Sequence, residues 1–412
     1  MLNPKTNERE LCYVVQIDAI EPIIGSDNCE AAVVGGWRIM TRKGTFKPGD
    51  LAIYFEIDSK VPETETFAFL EKKHYKIKTQ KYTFGGKGNF VSQGLLMHPI
   101  DFGWTIGETG KSIIIPDDGT QLEKGDFLTQ RLGVTYAIDA DNKRKASGPD
   151  KYKKMAARHK KIFSNPIVKK IMKYSLGRKI MFLFFGKKKD KKGAWPAWVK
   201  KTDEERIQNL VSAIPTFVKE PWVATEKIDG TSTTFTMKGF GRKREFYVCS
   251  RNVVFDKPNK NCFYDTNVYL EMAEKYHMED VLTSLMEKYK KTGINFITIQ
   301  GETYGGDIQK RDYEMKEHDL AVFNVIFGYK DGTTERLNPI DMKALMDDYL
   351  VPTVPIVSDR LTLPDSCDEI LLLAGGPSAI DSEMREGLVF RSLDGTKSFK
   401  AVDNNFLIKY HQ

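Results

Sequence analysis

Cysteine and histidine are scarce in this chain. The five cysteines (Cys12, Cys29, Cys249, Cys262 and Cys367) include no Cys-x-x-Cys pair. That spacing argues against a disulfide frame or a cysteine zinc site and for reduced thiols. The six histidines show no helical metal-binding spacing. Long apolar runs are missing too. Near the middle of the chain the longest, Ile180–Phe185, is six residues, where a spanning helix needs about 20. The opening Met-Leu-Asn-Pro-Lys-Thr has no signal-peptide core. These absences predict a soluble cytoplasmic protein without stable membrane association; it is also expected to be a monomer.

Acidic residues are scarce in one stretch in particular. Between Asp141 and Lys201 there are 21 Lys and Arg against 3 Asp and Glu, leaving 42 against 53 elsewhere, so the net +7 conceals a basic block on an acidic remainder. A nucleic-acid backbone is the usual partner of such a block, with an acidic membrane surface second.

What is present is enough material for two or three domains in 412 residues. Residues 1–133 read as all-β: Leu11–Ile20, Ala31–Met40 and Leu51–Ile57 carry strand character between turn clusters at Glu21–Asp27 and Lys43–Asp50. Short strands punctuated by Gly and Pro suggest a small barrel. Trp37, Tyr54, Phe55, Tyr82 and Phe84, interleaved with Arg38, Lys43, Lys76, Lys78 and Lys81, are candidate stacking faces for RNA, with the Lys76–Lys87 loop foremost. Taken singly, each aromatic reads first as barrel core.

Residues 134–194 form a basic linker or insert, partly helical. Ile162, Pro166, Ile167, Ile171, Met172 and Leu176 could share a helix face, and Ile180–Phe185 then runs into a lysine tract. Charge reversal at 187–192 is expected to flatten the salt dependence of RNA binding. Residues 195–412 read as a second, α+β domain, opened by a helix that Thr202 or Asp203 would cap. Strands are expected at Glu245–Ser250, Phe296–Gln300, Leu320–Phe327, Gly387–Arg391 and Ser398–Val402. Helices are expected at about 267–290, 339–349 and 365–373. The fold class is thus α+β: an all-β barrel, then antiparallel sheets with flanking helices.

Within that domain, Trp222-Val-Ala-Thr-Glu-Lys-Ile-Asp-Gly-Thr-Ser seats Lys227 at a strand end, beside Glu226 and before Gly230, which permits a sharp turn into Thr231–Met237. Only about one free lysine in a thousand is neutral at pH 7, so a nucleophilic lysine needs burial or nearby cations. A Lys-x-Asp-Gly tetrapeptide arises by chance in about one chain in ten of this length, so the residues downstream matter more. In order they are Ser250-Arg251-Asn252, Gln300-Gly301-Glu302, Phe323-Asn-Val, Glu386-Gly-Leu-Val-Phe-Arg391, and Lys400 in Ser-Phe-Lys-Ala-Val.

This ordered set resembles the covalent nucleotidyltransferase superfamily of polynucleotide ligases and RNA-capping enzymes. Val33-Val-Gly-Gly-Trp-Arg, Phe46-Lys-Pro-Gly-Asp-Leu-Ala-Ile-Tyr-Phe-Glu-Ile-Asp-Ser and Val91-Ser-Gln-Gly-Leu resemble the N-terminal OB module of one branch of ATP-dependent RNA ligases, and Thr202-Asp-Glu-Glu-Arg-Ile-Gln-Asn is similar to the lead-in of their catalytic domain.

The resemblance implies a nucleotidyltransferase domain at 195–412 and an OB-fold RNA-binding module at 1–133. It implies that Lys227 takes AMP from ATP, that Asp229 and Glu386 serve Mg²⁺ or Mn²⁺, and that Glu226, Arg251 and Glu302 contact the nucleotide. Phe323 would stack on adenine, and Lys400 would neutralise the α-phosphate, with Arg251 also catalytic. The reaction implied is ATP-dependent sealing of 3′-OH and 5′-phosphate RNA ends, in nicked duplexes or RNA repair. The alternatives are a DNA ligase, a capping guanylyltransferase or a non-catalytic nucleic-acid binder. DNA ligases and capping enzymes usually place the OB fold after the last motif, whereas only twelve residues follow Lys400 here. Many relatives have two lysines one residue apart in that motif. This chain reads Lys400-Ala-Val, which leaves Lys397 or Lys409 for the second charge. The N-terminal module is expected to be dispensable for self-adenylylation and needed for sealing.

Overall fold

The computed structural model describes residues 1–5, 8–86, 88–108, 112–137, 160–172, 174, 181, 195–200, 203–251, 253–255, 267–306 and 308–410. The basic segment 134–194 lies mostly outside them, as do Lys87, Thr202, Asn252 and residues 187–192. Two short helices, Lys160–Phe163 and Pro166–Met172, belong to its described part.

Strands dominate the N-terminal part, as the turn spacing predicts. Cys12–Gln16 pairs antiparallel with Leu51–Phe55, which also pairs with Leu95–Met97. Ala19–Pro22, Cys29–Val34 and Trp37–Arg42 form a second antiparallel sheet. The expected strand 31–40 is therefore a hairpin, turning at Gly35-Gly36. Every residue of Leu51–Phe55 is buried, because its two faces serve different cores. Leu51, Ile53 and Phe55 join Cys12, Val14 and Trp104 on one side. Ala52 and Tyr54 join Tyr13, Trp37 and Ile39 on the other. Trp37, Tyr54 and Phe55 are thus core residues, not stacking faces. Tyr82 and Phe84 remain half-buried near the Gln80–Thr83/Asn89–Ser92 hairpin.

The second of these cores also contains Val402 and Leu407 from the far end of the chain, so the two domains share a hydrophobic interior. The Gly35-Gly36 turn docks there as well: Gly36 N–H donates to Gln208 O at 2.8 Å. A Cβ on Gly36 would stand 2.7 Å from Gln208 Cα and 2.5 Å from Cys367 Sγ, so close approach requires glycine.

The C-terminal part holds two antiparallel sheets. One has six strands and includes Glu245–Ser250, Thr231–Lys238, Ile294–Tyr304 and Asp319–Tyr329; the other has four, Ile356–Leu361, Trp222–Lys227, Gly387–Ser392 and Ser398–Val402. Helices Val268–Lys275, Met278–Lys288 and Pro339–Asp347 cover the larger sheet, burying Met272, Leu282, Leu285 and Met346 among Phe235, Ile297 and Val325. The single helix expected at 267–290 is broken at His277, whose φ of 48 lies in the left-handed region. The break lets Met272 and Met278 both reach full burial. Helix Cys367–Ala374 packs Ile370 and Ala374 with Trp222, Phe390 and Phe399 in the smaller core.

Candidate active site

Lys227 ends one sheet and Thr231 begins the next, so Ile228, Asp229 and Gly230 carry the chain between the two sheets. Close approach, not an unusual φ, requires Gly230: a Cβ there would lie 2.3 Å from Thr303 O. Gly387, the register partner of Lys227, is constrained likewise by Ala401 O. These two glycines let Glu302 and Glu386 come up beside the lysine.

The Lys227 amine lies 2.6 Å from Glu386 Oε2, with side-chain exposures of 25% and 6%. Burial pulls the lysine pKa down, but Glu386 first, then Glu302 and Asp229, outweigh it, and the pKa stands above its ordinary value. Glu302, in Ile294–Tyr304, is pushed up to about 8 by burial, with Lys227 opposing and Glu386 and Asp229 adding like charge. Asp229 is buried, and its backbone N–H donates to the Tyr313 hydroxyl at 2.6 Å. Three carboxyl groups and one amine thus share one low-dielectric pocket.

A second cluster adjoins it. Lys400 Nζ lies 2.6 Å from Asp203 Oδ1, while Asp203 Oδ2 takes Arg251 Nη2 and Arg9 Nε at 3.0 Å each. Burial, then Arg9, Arg206 and Lys227, bring the Lys400 pKa down to about 7 against the pull of Asp203. Burial would raise the Asp203 pKa, yet Lys400, Arg9 and Arg251 hold it well below the usual carboxylate range. Asp203 therefore caps no helix. Residues 203–205 lie outside any helix, Lys400 N–H donates to Glu205 O at 2.8 Å, and Arg206 bridges Lys400 in parallel. Fixed side by side, a strand and this lead-in segment gather the cations.

Phe323 stands at a bulge. Gln300 is paired with Asn324 but Gly301 with Val322, which leaves Phe323 outside the ladder. Bulges re-aim side chains at functional sites. Arg391 Nη1 donates to Phe323 O at 3.0 Å and its Nη2 reaches Glu204 at 3.1 Å, tying the bulge to the lead-in.

Seven of the eight predicted residues, Lys227, Asp229, Arg251, Glu302, Phe323, Glu386 and Lys400, therefore lie on elements that meet at this junction. Glu226 differs. On the opposite face of its strand, it accepts from Ser378 Oγ and Ala379 N–H at 2.7 Å each, fully buried. Its carboxylate fixes the 378–379 loop. Lys397 pairs with Glu220 and Lys409 with Glu383, both at the exposed surface. The charges added beside Lys400 are Arg9 and Arg206. Sequence reading missed Arg9 and the anchoring roles of Asp203 and Glu204. Only the family-like lead-in hinted at the latter two, and Arg9 carried no local signal.

Among the described residues, no group of three His, Cys, Asp or Glu side chains is arranged to hold a metal ion. Asp229 and Glu386 nevertheless supply hard oxygen donors beside the lysine. A pair of carboxylates completed by phosphate and water suits Mg²⁺ or Mn²⁺ better than a closed protein cage does.

The RNA ligase family matches residues 220–411, and an OB-fold domain family matches residues 11–99. No curated protein sequence matches the chain. Among solved structures, an RNA ligase mutant from Naegleria gruberi with ATP and Mn is 26% identical, with TM-score 0.68, covering 98% of this chain and 100% of that one. A mutant of the Naegleria ligase with AMP and Mn is 26% identical, with TM-score 0.69 over 98% and 99% of the two chains. The Naegleria ligase with PPi is 26% identical, with TM-score 0.67 over the same shares. Residues 220–411 are thus an RNA ligase domain behind an OB-fold domain, and the chain is similar to the Naegleria RNA ligase along nearly its whole length.

Proposed function

We propose that this RNA ligase uses ATP to join 3′-OH and 5′-phosphate ends, in nicked duplexes or during RNA repair, as a monomer in a reducing intracellular compartment. One observation carries the reading: the Lys227 amine lies 2.6 Å from Glu386 and within electrostatic reach of Glu302, Asp229 and Lys400, while Lys400 and Arg251 share Asp203. Naegleria structures holding ATP, AMP, Mn and PPi support the choice of cofactors.

In the first step Lys227 Nζ forms a bond to the α-phosphorus of ATP as the bond to the bridging oxygen breaks and pyrophosphate leaves. The ammonium proton must depart first, and Glu386 at 2.6 Å is placed to take it. A divalent cation held by Asp229 and Glu386 would supply charge neutralisation at the α-phosphate. Lys400 and Arg251 hold the phosphoryl oxygens, Glu302 the ribose, and Phe323 stacks on adenine. In the second step a 5′-phosphate oxygen displaces Lys227 and takes the AMP. In the third the 3′-OH attacks that phosphate, expels AMP and makes the phosphodiester. Positioning and charge stabilisation supply most of the rate in such transfers.

The OB fold lies ahead of the catalytic domain, unlike the order usual for capping enzymes and DNA ligases. Incubation with α-labelled ATP or GTP tests the reading: label enters from ATP, is acid-labile, and vanishes in Lys227→Ala. A GTP label would favour capping, and none at all a binding protein. Sealing assays on nicked duplexes and single-stranded ends then identify the substrate.

A further inference from the structure

The last seat beside Asp203 belongs to a residue from the other end of the chain. Arg9 precedes the first barrel strand, and its side chain is 5% exposed. Its Nε donates to Asp203 Oδ2 at 3.0 Å, Nη1 to Glu56 Oε2 at 3.2 Å, and Nη2 to Glu204 O at 2.9 Å. Glu56 ends the chain of contacts inside the barrel, where the Tyr13 hydroxyl and Asn209 also donate to it. Burial alone would raise the Glu56 pKa, but the N-terminal amine and Arg9 hold it down to about 2. The result is a buried row of alternating charge: Glu56, Arg9, Asp203, then Lys400 and Arg251 together.

Three of the five N–H donors of this buried guanidinium are committed to Asp203, Glu56 and Glu204, so Arg9 is anchored in the protein. Its effect passes through Asp203, the carboxylate that spaces Lys400 from Arg251. Without Arg9 that carboxylate would be held only by two side chains that must also serve phosphate.

We propose that Arg9 is a positioning residue for nucleotidyl transfer: it holds Asp203 where the aspartate sets the spacing of Lys400 and Arg251, so the N-terminal domain takes part in loading the enzyme with AMP. This rests on the adenylylation reading above. It also revises the expectation that residues 1–133 are dispensable for self-adenylylation, since that deletion removes Arg9 and Glu56 together.

The test uses the full chain, α-labelled ATP and three variants. In Arg9→Ala the rate of label transfer at saturating ATP falls by about 10- to 100-fold, the range seen when a partner behind a functional group is removed, and the half-saturating ATP concentration changes less. Arg9→Lys, which keeps the charge but cannot reach three acceptors at once, recovers part of the rate. Asn209→Ala is the control: it breaks contacts to Glu56, Glu205 and Trp37 at the same interface without touching Asp203, and it labels at close to the wild-type rate.

Lys400 faces Asp203, Arg9, Arg206 and Lys227. Removing Arg9 takes away one cation and frees Asp203 for the lysine, so the alkaline limb of the labelling profile moves to higher pH. A merely structural role leaves that limb in place. Equal labelling by Arg9→Ala and wild type, or an equal loss in Asn209→Ala, overturns the proposal. A wild-type chain that takes no label overturns the adenylylation reading instead. Should Arg9→Ala fail to fold by thermal melting, Arg9→Lys carries the same comparison.

Discussion

Lys227 and Glu386 form a 2.6 Å ion pair at the meeting of the two sheets. The pair keeps the amine charged in the nucleotide-free protein, so this resting state is not one that can attack phosphorus. Glu386→Gln removes the acceptor for the departing proton and a metal donor together. Label transfer from ATP is expected to fall by about 10²-fold or more, while the melting temperature stays near wild type. Labelling at the wild-type rate would remove Glu386 from the chemistry.

Glu302 gives a stability signature. Its folded pKa is raised to about 8 from an ordinary 4.5, mainly by burial. A carboxyl raised in this direction stabilises the fold fully below the unfolded value and loses that contribution as pH climbs through the folded one. The window is therefore about 4.5 to 8. Glu302→Gln has no proton to lose, so its melting temperature should gain on wild type as pH rises across that window. A constant difference from pH 5 to 8 would rule the assignment out.

Lys400 predicts proton uptake. Burial, Arg9, Arg206 and Lys227 bring it down to about 7 in the empty site, so it is largely neutral at pH 8. An α-phosphate arriving beside it favours the charged form. Calorimetry of ATP binding at pH 8, in buffers of different ionisation enthalpy, should show uptake that Lys400→Met reduces. Equal uptake in the variant would contradict the placement of Lys400 at the phosphate.

Phe323 and Trp37 separate binding from folding. Phe323 is half-buried at its bulge, so Phe323→Ala should weaken ATP binding by the ~1–3 kcal/mol of a base–aromatic stack, with Phe323→Tyr close to wild type. Trp37 is 1% exposed and donates to Asn209 at 2.6 Å. Trp37→Ala should cost roughly 3–5 kcal/mol of stability. Denaturant titration and nucleotide titration of both variants check the pair, and a stable Trp37→Ala with weak RNA binding would reverse their roles.

Strands with a strong local pattern were legible from the chain alone. Glu245–Ser250 and Ser398–Val402 fall where they were expected, because β-rich runs between turn residues need little outside help. The helix at 267–290 was not, since the left-handed turn at His277 answers to where Met272 and Met278 must pack. Asp203 read as a helix cap because Asp before Glu-Glu favours one locally. Three cations drawn from distant positions overrode that preference.

The order and chemistry of Lys227, Arg251, Glu302, Phe323, Glu386 and Lys400 were determined by sequence, because a reaction demands side-chain types that composition cannot disguise. Tertiary structure alone decided their electrical state and their supports: the salt bridge on Lys227, the depressed lysine at 400, and the reach of Arg9 across 194 positions to Asp203. Burial and charge act through space, and local sequence carries no measure of which distant groups will share a low-dielectric pocket.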